Sequence, residues 1–325
     1  MKAMICRAYG EPDSLEYGAL PTPGIGPDDV RIAVRAAGVN FPDILVVQGR
    51  YQFKTPFPFS PGMECAGEIV EAGANVTDLR PGDRVAAHPW TGCFAEQVAA
   101  PAATAFKLPD GIDFATAAAC PVTYGTVYHA LIDRGELRAD ETLLVLGAAG
   151  GVGLNAVEIG KLLGARVIAA AGSPDKLALC RAYGADETVD YAAGPLRDQV
   201  KALTDGRGAD VIFDAVGGDM TDAAMRCINW QGRLLIIGFA GGRIARVPAN
   251  RALLKGMALV GVAYQTFANR DPAASRANMA ALLDWLAAGK LRPHISLRFP
   301  LRHAPKAMRA IAGRRSTGKV VLLVD

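Results

Sequence analysis

Four glycines stand within seven residues, at Gly147, Gly150, Gly151 and Gly153, directly after the apolar run Thr142–Leu146. Val152, Leu154, Ala156, Val157, Ile159, Leu162 and Leu163 follow at helical spacing, so the stretch reads as strand, tight turn and helix. Such a turn needs glycine, which adopts positive φ and leaves no Cβ to obstruct a closely approaching ligand. The helix then offers its first-turn N–H groups and positive dipole end to an anion, typically a dinucleotide pyrophosphate. A second strand, Arg166–Ala170, follows at the βαβ distance. Gly147, Ala149, Gly150, Gly151, Val152 and Gly153 are therefore candidate cofactor contacts.

The end of that second strand reads which dinucleotide binds. An Asp or Glu there bonds the ribose 2′-OH of NAD. Here the chain runs Ala169-Ala170-Ala171-Gly172-Ser173, with Lys176 following and no carboxylate to repel a 2′-phosphate. Ser173 can donate a hydrogen bond and Lys176 a charge-assisted one, which favours NADPH over NADH. Each also has a plainer reading, Ser173 as a helix N-cap and Lys176 as a solvated first-turn residue. Val216-Gly217-Gly218 and Gly238-Phe239-Ala240 end later strands, where small residues let a cofactor lie against the backbone. Phe239 also reads as an ordinary core aromatic.

On the catalytic side no nucleophile–base arrangement is legible. Gly-x-Ser-x-Gly is absent, and His88, His129, His294 and His303 lack a partner pattern. Asn40 can hydrogen-bond a carbonyl oxygen as charge develops on it. Tyr51 can stack on a flat acceptor or donate its hydroxyl, with a loop-packing aromatic as the alternative. Asp43 and Glu64 read as structural hydrogen-bonding groups near them.

The surrounding chain must position these residues. At 325 residues, two domains are expected. The first 110 or so residues carry short β-type runs at 30–39, 62–72 and 83–87, broken by Pro and Gly turns, without βα alternation. From Thr142 strands are expected at 142–146, 166–170, 187–189, 210–214, 233–238 and 257–262. Helices are expected between several of them, at 152–163, 174–183, 195–204 and 219–229, the signature of a doubly wound α/β domain. An amphipathic helix follows at 271–288, and the last strands rejoin the β-rich domain.

A balance of 35 basic against 32 acidic residues, net +3, gives no pull toward nucleic acid or membrane. Six cysteines form no Cys-x-x-Cys pair and the N-terminus lacks a signal-peptide core, which implies a reduced, cytoplasmic setting. Met257–Val262 is too apolar for an open sheet edge and points to a homodimer.

Several ordered motifs together resemble the medium-chain dehydrogenase/reductases, in their zinc-free quinone oxidoreductase branch of the zeta-crystallin type. They are Gly38-Val39-Asn40-Phe41-Pro42-Asp43, Gln48-Gly49-Arg50-Tyr51, Pro61-Gly62-Met63-Glu64, Pro81-Gly82-Asp83-Arg84-Val85, the Ala148-to-Gly153 turn and Phe213-Asp214-Ala215-Val216-Gly217-Gly218. The likeness covers essentially the whole chain. It implies an α/β protein with a GroES-like β-rich catalytic domain at 1–120, completed by 289–325, and a Rossmann doubly wound parallel-sheet domain at 121–288. The cofactor is then expected in the cleft between them. By the same resemblance Thr123 lines the cofactor, while Tyr191 and Arg314 join Ser173 and Lys176 at the 2′-phosphate.

Where the zinc-dependent relatives place a Cys ligand this chain has Asn40, and where they place His before a Glu it has Met63 before Glu64. Amide and thioether are poor Zn²⁺ ligands, so no metal is expected. The expected activity is NADPH-dependent reduction of a quinone or enone. An enoyl-thioester or other activated-alkene reductase is the alternative within the class, and a non-catalytic NADPH-binding protein the alternative outside it.

Overall fold

The computed structural model describes residues 1–324. They form two compact units, one comprising Met1–Val122 with the chain from Gln265 onward, the other Thr123–Tyr264.

In the first unit the early elements are β1 (Lys2–Ile5), β2 (Glu16–Ala19), β3 (Asp29–Val39), α1 (Phe41–Val47), β4 (Glu64–Ala72), β5 (Arg84–Ala87), β6 (Gln97–Pro101), β7 (Ala105–Lys107) and α2 (Phe114–Ala118). The eleven-residue β3 is the spine, pairing antiparallel with β4 and β6 and burying Val30, Ile32 and Val34 from alternate positions. Helix α1 interrupts the expected all-β texture. Pro42 lies in its first turn, where a missing N–H costs nothing, and the Asp43 carboxylate accepts from the Asn40 N–H at 2.7 Å.

The second unit continues from α3 (Pro121–Tyr128) through β8 (Thr142–Leu146), α4 (Gly151–Leu162), β9 (Arg166–Ala171), α5 (Pro174–Ala182), β10 (Glu187–Asp190), α6 (Leu196–Leu203), β11 (Ala209–Asp214), α7 (Asp219–Ala224), β12 (Ile228–Ile236), α8 (Ala249–Lys255) and β13 (Ala258–Gly261). Its six strands are all parallel, in the order β10-β9-β8-β11-β12-β13. This is the doubly wound arrangement expected from the sequence, and the winding reverses between β8 and β11. Ligands bind such sheets outside the carboxyl ends of the strands flanking that reversal.

Pro121 opens α3 as another first-turn proline. One local reading differs. The helix expected over 219–229 stops at Ala224, because Ile228 is fully buried and pairs with Ala209 as the first residue of β12. Tertiary pairing there overrides a weak helical pattern.

The chain ends with α9 (Tyr264–Arg270), α10 (Pro272–Ala287), β14 (Ile295–Pro300), α11 (Ala304–Ala312) and β15 (Lys319–Leu323). Strand β15 pairs antiparallel with β3 in the first unit, placing Val320 opposite Val39. Helix α10 is fastened to the same unit by Arg276, which donates to the carbonyls of Ala102 and Ala105 and pairs with Asp78 at 2.8 Å. No helix among the described residues is long and apolar enough to cross a membrane.

Candidate active site

The glycine turn sits at the carboxyl end of β8. Gly147 has φ +64, which a side chain would strain. A Cβ on Gly153 would lie 2.2 Å from the Gly147 carbonyl oxygen, so only glycine lets α4 start this close to the strand. The first-turn N–H groups of Gly151, Val152 and Gly153 find no acceptor among the described residues, which leaves them for an anion. Val216 flanks the turn, its side chain 3.0 Å from where a Gly147 Cβ would stand. The buried Asp214 carboxylate fixes the β11 loop by accepting from the Val216 and Gly217 N–H groups, each at 2.9 Å. Phe239 lies against Gly217, and a Gly238 Cβ would meet nothing nearer than 3.8 Å. Gly147, Val216, Gly238 and Phe239 thus gather at the ends of β8, β11 and β12. Thr123 is buried on α3, where its hydroxyl oxygen accepts from Asn155 of α4 at 3.0 Å.

At the end of β9, Gly172 separates the strand from Ser173, and Tyr191 packs against it. Ser173 occupies the N-cap of α5, yet its side chain makes no capping bond. Tyr191 donates its backbone N–H to Ala171, and its ring lies 2.8 Å from the position of a Gly172 Cβ. Lys176 stands in the first turn of α5, half-buried. Arg314 is carried by the other unit, in a left-handed turn (φ +55) between α11 and β15. The turn after β8 with its open N–H groups fits a dinucleotide pyrophosphate, and the carboxylate-free end of β9 fits the adenosine ribose beside it.

The first unit holds a buried polar cluster where β3, β4 and β15 meet. Glu64 opens β4 and is wholly buried; Lys319 opens β15 and is 2% exposed. Lys319 Nζ donates to Glu64 Oε1 at 2.6 Å, to Asn40 Oδ1 at 2.8 Å and to the Val39 carbonyl at 3.4 Å. Asn40 Nδ2 donates to Glu64 Oε1 at 2.8 Å, and the Val122 N–H reaches Glu64 Oε2 at 2.8 Å. Gly38 makes room for this, since a Cβ there would lie 2.5 Å from Glu64 Oε1. Burial pushes the adjacent Asp43 carboxyl from 3.8 up to about 7, against the pull of the Asn40 N–H and the Lys319 charge. Tyr51, just past α1, is half-buried, and its hydroxyl is raised first by burial and then by Asp43.

Asn40 and Tyr51 therefore both adjoin Asp43. Lys319 was not legible beforehand. Its signal was a single base opening the otherwise apolar, buried run Val320-Val321-Leu322, a strand end that normally reads as solvated.

Residues 26–110 match the alcohol dehydrogenase GroES-like domain, and residues 151–288 match the zinc-binding dehydrogenase family. A quinone oxidoreductase-like protein 2 homolog of Nematostella vectensis is 40% identical over 324 residues, covering 99% of this chain and 88% of that one. The chain belongs to the medium-chain dehydrogenase/reductase family. Its first unit is the GroES-like β-rich domain and its second the Rossmann domain. Escherichia coli quinone oxidoreductase complexed with NADPH superposes with a TM-score of 0.92 at 25% identity, covering 99% of this chain and 100% of that one. A mycocerosic acid synthase-like polyketide synthase of Mycolicibacterium smegmatis is 32% identical over 324 residues, 98% of this chain but 15% of that protein. A medium-chain dehydrogenase/reductase of this kind is an oxidoreductase that uses an NAD(P)-type cofactor on a small-molecule substrate.

The zinc in one matched family's description can be weighed against the donors present. Met63 is a thioether packed in the core, and the Asn40 and Glu64 oxygens already accept hydrogen bonds. An ammonium 2.6 Å from Glu64 opposes a second cation there. Among the described residues no group of three or more His, Cys, Asp and Glu is placed to hold a metal ion. These donors do not fit Zn²⁺.

Proposed function

We propose that this medium-chain dehydrogenase/reductase reduces quinones or related conjugated carbonyl acceptors with NADPH, without a metal. One observation carries the reading: Lys319 occupies the polar groups of Asn40 and Glu64 beside which a metal would otherwise polarise the substrate carbonyl. A metal-free site favours acceptors that are already electrophilic, such as a quinone or enone, over a simple ketone.

When bound, the reduced nicotinamide supplies a hydride that, with one proton from solvent, completes a two-electron reduction of the acceptor. The protein's part is orientation and electrostatics. The Gly151, Val152 and Gly153 N–H groups hold the pyrophosphate, with Gly147, Ala149 and Gly150 forming the turn against it. Thr123, Val216, Gly238 and Phe239 border the nicotinamide portion. Ser173, Lys176, Tyr191 and Arg314 take the 2′-phosphate. Asn40 donates to the acceptor's oxygen as charge grows on it, and Tyr51 stacks on a flat ring.

The enzyme acts as a cytoplasmic homodimer in this reading. Strand β13 is an edge strand, and the preceding α8 leaves Leu253 and Leu254 79% and 72% exposed, with Trp230 adjoining the turn between them. Pairing β13 with its copy would cover that surface. All six cysteines are free and buried, as suits a reducing compartment.

The polyketide synthase likeness supports a second reading, reduction of an enoyl thioester. A screen of NADPH oxidation over quinones, enones and enoyl thioesters, with NADH as control, separates the two. Turnover confined to enoyl thioesters would overturn the quinone reading. Light scattering at micromolar concentration tests the dimer.

A further inference from the structure

An amide that is to donate to a developing oxyanion must present N–H rather than C=O, and an isolated Asn side chain has no reason to choose. Asn40 is not isolated. Its Oδ1 accepts from the Lys319 ammonium at 2.8 Å, and its Nδ2 donates to Glu64 Oε1 at 2.8 Å. Turning the amide over would set NH₂ against an ammonium and C=O against a carboxylate, losing both bonds and adding two repulsions. The second N–H on Nδ2 finds no acceptor among the described residues, and Asn40, at 6% exposed, is the most open member of the cluster.

Lys319 itself cannot reach a substrate. Its three N–H bonds are spent on Asn40, Glu64 and the Val39 carbonyl, and it is buried at the start of β15. Its charge can act only through its neighbours. An ammonium on the amide oxygen withdraws density from the amide and strengthens the remaining N–H as a donor. Asp43 faces the same cluster from α1 and Glu64 from β4, so the cation is matched by carboxyl groups on two elements.

We propose that Lys319 is the positioning residue for Asn40, a fixed internal cation that orients and polarises the amide donating to the acceptor's oxygen, where a zinc-dependent relative would use its metal. The inference rests on the reading of Asn40 as that donor, and the test separates the two.

The variants are Asn40→Ala, the charge-free pair Lys319→Gln with Glu64→Gln, the three substitutions together, and Lys319→Arg. Each is assayed for kcat and KM with a quinone, for NADPH affinity and for melting temperature. Asn40→Ala is expected to lower kcat about 100-fold. The charge-free pair is expected to lower kcat at least tenfold with NADPH affinity unchanged. The triple variant should fall no further than Asn40→Ala, because both changes remove one effect. Lys319→Arg, which keeps the charge, should retain more kcat than the pair.

Wild-type kcat in the charge-free pair beside an impaired Asn40→Ala would overturn the role of Lys319 and leave Asn40 standing. Multiplying losses in the triple variant would do the same. An unimpaired Asn40→Ala would overturn both readings. Should the amide pair not fold, Lys319→Met with Glu64→Leu, which also leaves no orphan charge, is read in the same way.

Discussion

The ammonium of Lys319 lies 2.6 Å from Oε1 of Glu64, joining two strand starts 255 residues apart with neither group open to solvent. Charges buried this deeply need each other, because removing one leaves the other desolvated and unpaired. Lys319→Met alone should therefore destabilise the protein by about 3–5 kcal/mol. Adding Glu64→Leu should recover most of that loss. Thermal and urea unfolding of the two variants check this. A single variant as stable as the wild type would show that the pair is not buried as described.

Asp43 gives stability a pH dependence. Its carboxyl titrates at about 7 when folded against an ordinary 3.8, with burial the main cause. Between those values the native protein holds a proton that the unfolded chain has lost. Stability contributed by this group is thus present below 3.8, falls as pH rises, and is gone above about 7, a change on the order of 4 kcal/mol. Asp43→Asn keeps an acceptor for the Asn40 N–H and should flatten the dependence. Melting temperatures from about pH 5 to pH 8 read it out. Equal slopes in wild type and variant would contradict the assignment.

Two glycines of the turn should fail in different ways. A Cβ at Gly153 would meet the Gly147 carbonyl oxygen at 2.2 Å, whereas at Gly150 the nearest atom is 3.3 Å away and φ is −80. Gly153→Ala should cost about 1–3 kcal/mol of stability through overpacking. Gly150→Ala should leave the melting temperature close to wild type and weaken cofactor binding. Calorimetry and fluorescence titration with NADPH distinguish them. Identical behaviour would mean that the turn is not shaped around a ligand.

In the proposed reading, Lys176 carries the choice between cofactors. A hydrogen bond to a charged group is worth about 1.5–3 kcal/mol, so Lys176→Ala should weaken NADPH about 10- to 100-fold and leave NADH nearly untouched. Unchanged NADPH affinity would remove Lys176 from the 2′-phosphate site.

What could be read from the sequence follows from which interactions leave a local trace. The parallel strands at 142–146 and 166–171 and the Gly147–Gly153 turn were legible, because apolar runs and glycines answer to local sterics. Asn40 and Met63 were legible as departures from a metal-binding pattern. Helix α1 was hidden because Pro42 reads as a breaker until it is known to lie in a first turn. The local pattern places Ile228 in a helix because its sheet partner, Ala209, lies 19 residues away. Lys319 was hidden for the same reason in stronger form. Its partners are brought to it only by β15 pairing with β3, and no spacing along the chain records that.

The most direct test of the account is oxidation of NADPH by a quinone, using chelator-treated protein and its Asn40→Ala variant. Wild-type protein should keep its full rate after chelation, and the variant should lose about 100-fold in kcat while binding NADPH normally. A rate that vanishes with chelation and returns with Zn²⁺, or an Asn40→Ala variant as fast as wild type, would contradict it.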